Sequence, residues 1–301
     1  MRIAVVQIGP VYLNSEATWS KLEDFIRRAA AGGAELVTWG ESLLPGYPNW
    51  TSVTTGDDQK ATYAAYCREA LELDGKIVKA MCALAKELGV LLIGGIAERS
   101  GGSVYATVLT ISATGELLGR HRKIKPTWRE RLVWADGDAL GLNTYDIPIG
   151  KVGSLNCWEN WVPYARAALH RQGEFLHIGV WPGSDALTKD ITRFVALEGR
   201  SWSVAASGLL RSSDFADTPL HDFPQRDQMM KIKPIWQNGG SRIVSPEGEL
   251  VAGPLLDEEG ILYADIDAAT VLRERQNFDI SGHYSRPDIF SNTGDRVETR
   301  R

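Results

Sequence analysis

Cysteine is scarce in this chain, with three among 301 residues, at positions 67, 82 and 157. An odd count without CxxC spacing speaks against a disulfide framework and against the common zinc and redox motifs. Long apolar runs are missing as well: no window approaches the 18 or so uninterrupted apolar residues of a membrane span. The opening residues MRIAVVQIG run straight into strand-like sequence, without the ordered basic, apolar and cleavage regions of an export signal. A cytoplasmic protein without a membrane partner is the expectation. The formal net charge is −5, and the densest basic stretch, RHRKIKPTWRER at 120–131, is a poor basis for binding nucleic acid. No Pro/Gly/Ser-rich linker divides the chain. With 44% hydrophobic and 24% charged residues, it reads as one large domain over 1–290 and a polar tail at 291–301.

What is present is strand-helix alternation. A buried strand is expected at 3–8, then a helix through NSEATWSKLEDFIRRAAAGG, where Trp19, Leu22, Phe25, Ile26 and Ala29 recur at helical spacing. Asn14 or Ser15 can cap it, and Gly32-Gly33 can end it. The strand AELVTW leads into Glu41, and DGKIVKAMCALAKELG reads as a helix capped by Asp74, followed by the strand VLLIGGIAER. Alternation resumes from KVGSLNC through SVAASGLL. Two segments break it: ISATGEL at 111–117 and VSPEGEL at 244–250 share one turn chemistry, apolar-Ser, two turn residues, then Gly-Glu-Leu. Both read as hairpins and hint at two similar halves. The expected class is α/β with mixed sheets.

Cys157, in GSLNCWEN, follows an apolar strand, where a sharp turn can lift a nucleophile out of a sheet. Glu41 and Trp181 also sit at strand ends, where reacting groups of α/β sheets gather. A thiol attacks as the thiolate and needs a base or a cation nearby. None of the five histidines lies in a Cys-His signature. Glu41, drawn out of water, would become more basic, and Lys123 could meet developing negative charge. Singly, each has a plain alternative: a packing cysteine, a solvated loop glutamate, a lysine on a wet face. Cys67 and Cys82 keep the packing reading.

Together, WGESLLPGYPNW, HRKIKPTWRERLVWADGD, GSLNCWENWVPYAR, FLHIGVWP, ALEGRSWSVAASG and GHYSRPD resemble the nitrilase branch of the carbon-nitrogen hydrolase superfamily. The resemblance implies a four-layer α-β-β-α sandwich of two mixed sheets with internal pseudo-symmetry. It also implies a Glu-Lys-Cys triad at Glu41, Lys123 and Cys157, with a second acid at Glu130. The Trp158 N–H becomes an oxyanion donor, and Tyr47, Trp158 and Trp181 become candidate pocket walls. A small-molecule nitrile is the implied substrate, with no metal or organic cofactor. An amidase, a cyanide hydratase or dihydratase, and a silent scaffold are the alternatives. VPYARAALH and DITRFVALEGRSW resemble interface helices of a homodimer or larger oligomer. In two places the chain departs from the family pattern. Trp39-Gly40 replaces the usual Phe-Pro before the acid, changing local backbone freedom, and Ala139 replaces a usual glycine.

Overall fold

Two runs of the same pattern build the molecule. The computed structural model describes residues 1–216, 218 and 225–290, so the expected polar tail lies outside the described residues. The first run is β1 (Arg2–Gln7), α1 (Ser15–Ala31), β2 (Leu36–Leu44), α2 (Gly56–Glu69), α3 (Lys76–Leu88), β3 (Leu91–Ser100), β4 (Ser103–Ile111) and β5 (Leu117–Arg122). The second is β6 (Tyr145–Ile147), β7 (Gly150–Asn156), α4 (Pro163–His170), β8 (Leu176–Trp181), α5 (Asp185–Gly199) and β9 (Trp202–Ser207), then β10 (Leu209–Arg211), α6 (Arg226–Ile232), β11 (Ile235–Val244), β12 (Leu250–Leu256) and β13 (Gly260–Asp265).

The sheets have the orders β13-β1-β2-β3-β4-β5 and β10-β11-β9-β8-β7-β6, with β12 also on β11. β1, β2 and β3 pair in parallel, and β3, β4 and β5 antiparallel. β7, β8 and β9 repeat the parallel part, and β9, β11 and β12 the antiparallel part. The hairpin turns match in detail. Ser112 N donates to Glu116 O and Gly115 N to Ser112 O; Ser245 N donates to Glu249 O and Gly248 N to Ser245 O. Gly115 and Gly248 have φ of 82° and 83°. The shared sequence pattern is therefore the mark of a real internal repeat.

Strand alternation sorts the core into layers. In β1, Ala4 and Val6 join Leu22, Phe25 and Ile26 of α1 and Met81 and Leu84 of α3. Ile3 and Val5 face the other way, into an inter-sheet core with Val152, Ile178, Val180 and Val204. On the far side of the second sheet, Ala165 and Leu169 of α4 and Ile191 and Val195 of α5 cover its outer face. This is the α-β-β-α sandwich.

Local chemistry follows expectation at α1, where Asn14 Oδ1 accepts from Ala17 N at 3.0 Å. At α3 it does not: the cap is Gly75, without a side-chain bond, and Asp74 lies one residue too early. The Trp39-Gly40 pair also has a different cause from backbone freedom, since Gly40 does not have positive φ. Its glycine answers to space. A Cβ there would lie 2.6 Å from Gly208 N and 2.7 Å from Trp181 O, where the two sheets meet. Trp39 is fully buried, and its ring occupies the volume left open by Gly94, whose added Cβ would come 2.0 Å from it.

Candidate active site

Glu41 lies in β2 at an irregularity, beyond the Trp39–Gly94 pairing and before Leu44 rejoins Ile96. The bend is visible in Ser42, whose φ is +43°. Lys123 directly follows β5, and Cys157 directly follows β7. Cys157 has φ of +50°, a left-handed conformation that costs a non-glycine residue roughly 1–2 kcal/mol. Strain of this kind persists where surrounding contacts impose it.

Lys123 Nζ bonds Glu41 Oε1 at 3.0 Å and Glu130 Oε2 at 2.7 Å. A carboxylate oxygen of Glu41, one of Glu130 and the Cys157 Sγ all lie within 4.8 Å of one another. All four residues are at most 3% exposed. Two carboxylates and a thiol this close could ligate a cation, but the Lys123 ammonium already bonds both acids. Glu41 Oε2 is buried and has no hydrogen-bond partner among the described residues.

Burial sets the protonation pattern. It raises the Glu41 pKa above the usual carboxylate range; Lys123 opposes this and Glu130 adds to it. It also pushes the Cys157 thiol well up, against Lys123 and the Trp158 backbone N–H, which favour the thiolate. Burial alone would lower Lys123, but Glu41, Cys157 and Glu130 outweigh it and keep the ammonium charged. The resting pair is a neutral thiol beside an unusually basic carboxylate.

Glu130 Oε1 accepts from Tyr47 OH at 2.8 Å, and Oε2 also accepts from Thr127 N. Tyr47, Glu130 and Trp158 line a cleft of about 180 Å³ together with Pro48, Asn49, Thr127, Trp128 and others. Glu130 thus belongs both to the buried cluster and to the cleft wall. Trp181 does not line this cleft. It is buried beside Cys157 in a cluster with Ile191, Val195 and Ala205, under α5. Cys157, Glu41 and Lys123 do not line the cleft either, so Trp181 shares with the nucleophile a place behind it, packed against α5. Sequence reasoning missed Trp128, 73% exposed and with φ of +46°. Its only signal was its place between Lys123 and Glu130.

Glu159 holds the parts in register. Its Oε1 accepts from Ile124 N at 2.6 Å and its Oε2 from Asn156 N at 3.0 Å, the residues next to Lys123 and Cys157. His121 Nε2 lies 2.8 Å from Oε2. Burial would raise the Glu159 pKa, but His121 and the two backbone donors hold it below the usual range.

The fold and this site define a hydrolase of the sandwich type whose buried cysteine stands beside two acids and a lysine. Residues 2–276 match the carbon-nitrogen hydrolase family, and the chain belongs to it. It is 36% identical to an aliphatic nitrilase of Rhodococcus rhodochrous, covering 96% of this chain and 81% of that one. It is 35% identical to nitrilase 2 of Arabidopsis thaliana, covering 96% and 87%. The crystal structure of Nit3 from Saccharomyces cerevisiae, a member of branch 10 of the nitrilase superfamily, shares the fold. Its TM-score is 0.74 at 20% identity, over 95% of this chain and 97% of that one.

Proposed function

We propose that this chain hydrolyses an organic nitrile to the carboxylic acid and ammonia, with Cys157 as nucleophile, Glu41 as its base and Lys123 as a fixed cation. The observation that carries this reading is the unpartnered Oε2 of Glu41, a raised-pKa carboxylate oxygen buried in the cluster that contains the thiol. Glu41 takes the thiol proton while Sγ bonds the nitrile carbon. Negative charge developing on nitrogen meets Lys123 and the Trp158 N–H, and Glu41 returns the proton to give a thioimidate. Water adds to the carbon, its first proton passes through Glu41 to nitrogen, and the C–N bond breaks as the hydroxyl proton follows, releasing ammonia and leaving a thioester. A second water, deprotonated by Glu41, releases the acid and restores the thiol. Each donor aimed at developing charge contributes about 2.7–4 kcal/mol in comparable sites. Glu130 orients Lys123, and Tyr47 and Trp158 border the substrate.

The exposed apolar side chains Val162, Tyr164, Leu187 and Phe194, on and beside α4 and α5, support a homodimer or larger homo-oligomer packed through these helices. No described helix is long and apolar enough to cross a membrane.

The test is a panel of matched nitriles, amides and cyanide, with ammonia, acid and amide quantified. Nitrile turnover to acid is expected. Amide turnover far exceeding it would replace the reading with an amidase, and turnover confined to cyanide with a cyanide-degrading enzyme. Intact-mass measurement during turnover should show an adduct on the wild type and none on Cys157→Ala; unchanged activity in that variant would refute the nucleophile.

A further inference from the structure

A closed ring of polar side chains runs behind the nucleophile and is untouched by the mechanism above. Asn160 Nδ2 donates to Cys157 O at 2.8 Å, and Asn160 Oδ1 faces His177 Nε2 at 2.7 Å. His177 Nδ1 lies 3.0 Å from Glu174 Oε1, and Glu174 Oε2 lies 3.1 Å from His170 Nδ1. His170 Nε2 reaches Glu198 Oε2 at 3.5 Å, and Glu198 holds Arg166 through both oxygens. Arg166 Nη1 then donates to Asn160 O at 2.7 Å and closes the ring on the residue where it began.

The fold makes room for this ring. A Cβ on Gly153 would lie 2.3 Å from Glu174 Oε1, one on Gly179 2.9 Å from Asn160 Oδ1, and one on Gly199 2.5 Å from His170 Cε1. Three glycines on three elements leave the space its members fill. Burying so many polar groups for stability alone is a poor exchange against apolar packing. The point where the ring acts gives it a purpose.

Cys157 C=O and Trp158 N–H belong to one planar trans peptide and point in opposite directions. A grip on the carbonyl oxygen therefore aims the N–H. We propose that Asn160, itself oriented by His177 and Arg166, is a positioning residue: by holding Cys157 O it fixes the left-handed turn and points the Trp158 N–H at the reacting nitrogen or oxygen. Asn160 suits the task because one end donates to the carbonyl while the other accepts from the ring. This inference rests on Cys157 being the nucleophile.

The test compares nitrile turnover with simple alkylation of Cys157 by iodoacetamide, which needs the thiol but no oxyanion donor. Asn160→Asp keeps the shape and an oxygen toward His177 but cannot donate to Cys157 O. It is expected to lose about 10²–10³-fold in kcat, as for one oxyanion donor, with KM within threefold and alkylation slowed by less than about tenfold, since the Trp158 N–H also favours the thiolate but Lys123 still does so as well. His177→Ala should show the same split, and His177→Gln, which can still donate to Asn160, should recover at least tenfold of it. Equal loss of turnover and alkylation, or kcat unchanged within threefold in folded Asn160→Asp, would overturn the proposal. If Asn160→Asp fails to fold, the His177→Gln and His177→Ala pair carries the comparison, and equal kcat in those two would overturn the proposal; if His177→Ala fails to fold, Asn160→Asp carries it alone. A wild type that forms no substrate adduct on Cys157 would instead sink the underlying reading.

Discussion

Glu130→Gln separates the electrostatic role of the second acid from its shape. Glu41 titrates high because it is buried, and the negative charge of Glu130 raises it further. Their nearest reacting atoms lie within 4.8 Å. Taking that as the separation and an effective dielectric constant of about 20, the repulsion is about 3.5 kcal/mol, or about 2.5 pKa units. Glu130 also borders the cleft, where water raises the local dielectric constant, so the expected shift is about one to two units. The sign is fixed: removing a negative neighbour stabilises the Glu41 carboxylate, lowers its pKa and makes the base available at lower pH. The acid limb of kcat/KM, a property of the coupled Glu41 and Cys157 pair, should therefore move toward acid. The assay is ammonia release from a nitrile between about pH 5 and 10 at constant ionic strength. Overall activity falls as well, because Lys123 loses a charged partner, but that fall does not decide the matter. An acid limb that stays in place, or moves toward alkali, would refute the assignment of Glu41 as base beside an ionised Glu130.

Two further predictions concern stability. Burial alone would lower the His170 pKa, but Glu174 and Glu198 outweigh it and raise it to about 9. Its ring nitrogens lie 3.1 Å from Glu174 Oε2 and 3.5 Å from Glu198 Oε2, with Arg166 the next cation beyond Glu198. A raised histidine stabilises the fold fully below about pH 6.5 and loses that contribution as pH rises through about 9. Urea unfolding should lose up to about 3 kcal/mol across that window, and His170→Gln should flatten the slope; an unchanged slope in the variant would assign it elsewhere. Separately, Gly94→Ala drives a Cβ into the Trp39 ring and should cost about 1–3 kcal/mol by overpacking. Adding Trp39→Phe should recover part of that loss; strictly additive effects of the two changes would show that the ring and the glycine are not coupled.

The features legible in the chain are those whose partners are near in sequence or whose period is strong. α1 announced itself by its apolar stripe and Asn14, and the two hairpins by a turn chemistry that the structure repeats bond for bond. Those seven residues only hinted at the internal repeat, which the matching strand orders establish. α2 gave no such signal, because it buries only Thr62, Ala65 and Tyr66, too few and too mild to mark a face. Glu41, Lys123 and Cys157 were readable as strand-end groups inside local motifs. Their convergence came only with the family resemblance, not from the strand ends themselves, since it depends on two sheets meeting face to face. Trp181 stood at a strand end like the others, and strand position alone does not say on which side of a sheet a ring falls.

The same distinction explains Gly40 and the histidines. Gly40 looked like a question of backbone freedom until Trp181 and Gly208 were seen against it. His170 and His177 were set aside as bases because no Cys-His signature surrounds them. Yet Arg166, His170 and Glu174 fall four residues apart, a spacing that stacks side chains along a helix and just past its end. That regularity was a sign of a buried polar line running from α4 toward β8. What it could not reveal was the end of the line, at the carbonyl of Cys157, because Asn160 points there only after the chain has turned left-handed at its nucleophile. A site of this kind is built from a local motif that supplies the reacting atoms and a distant frame that aims them.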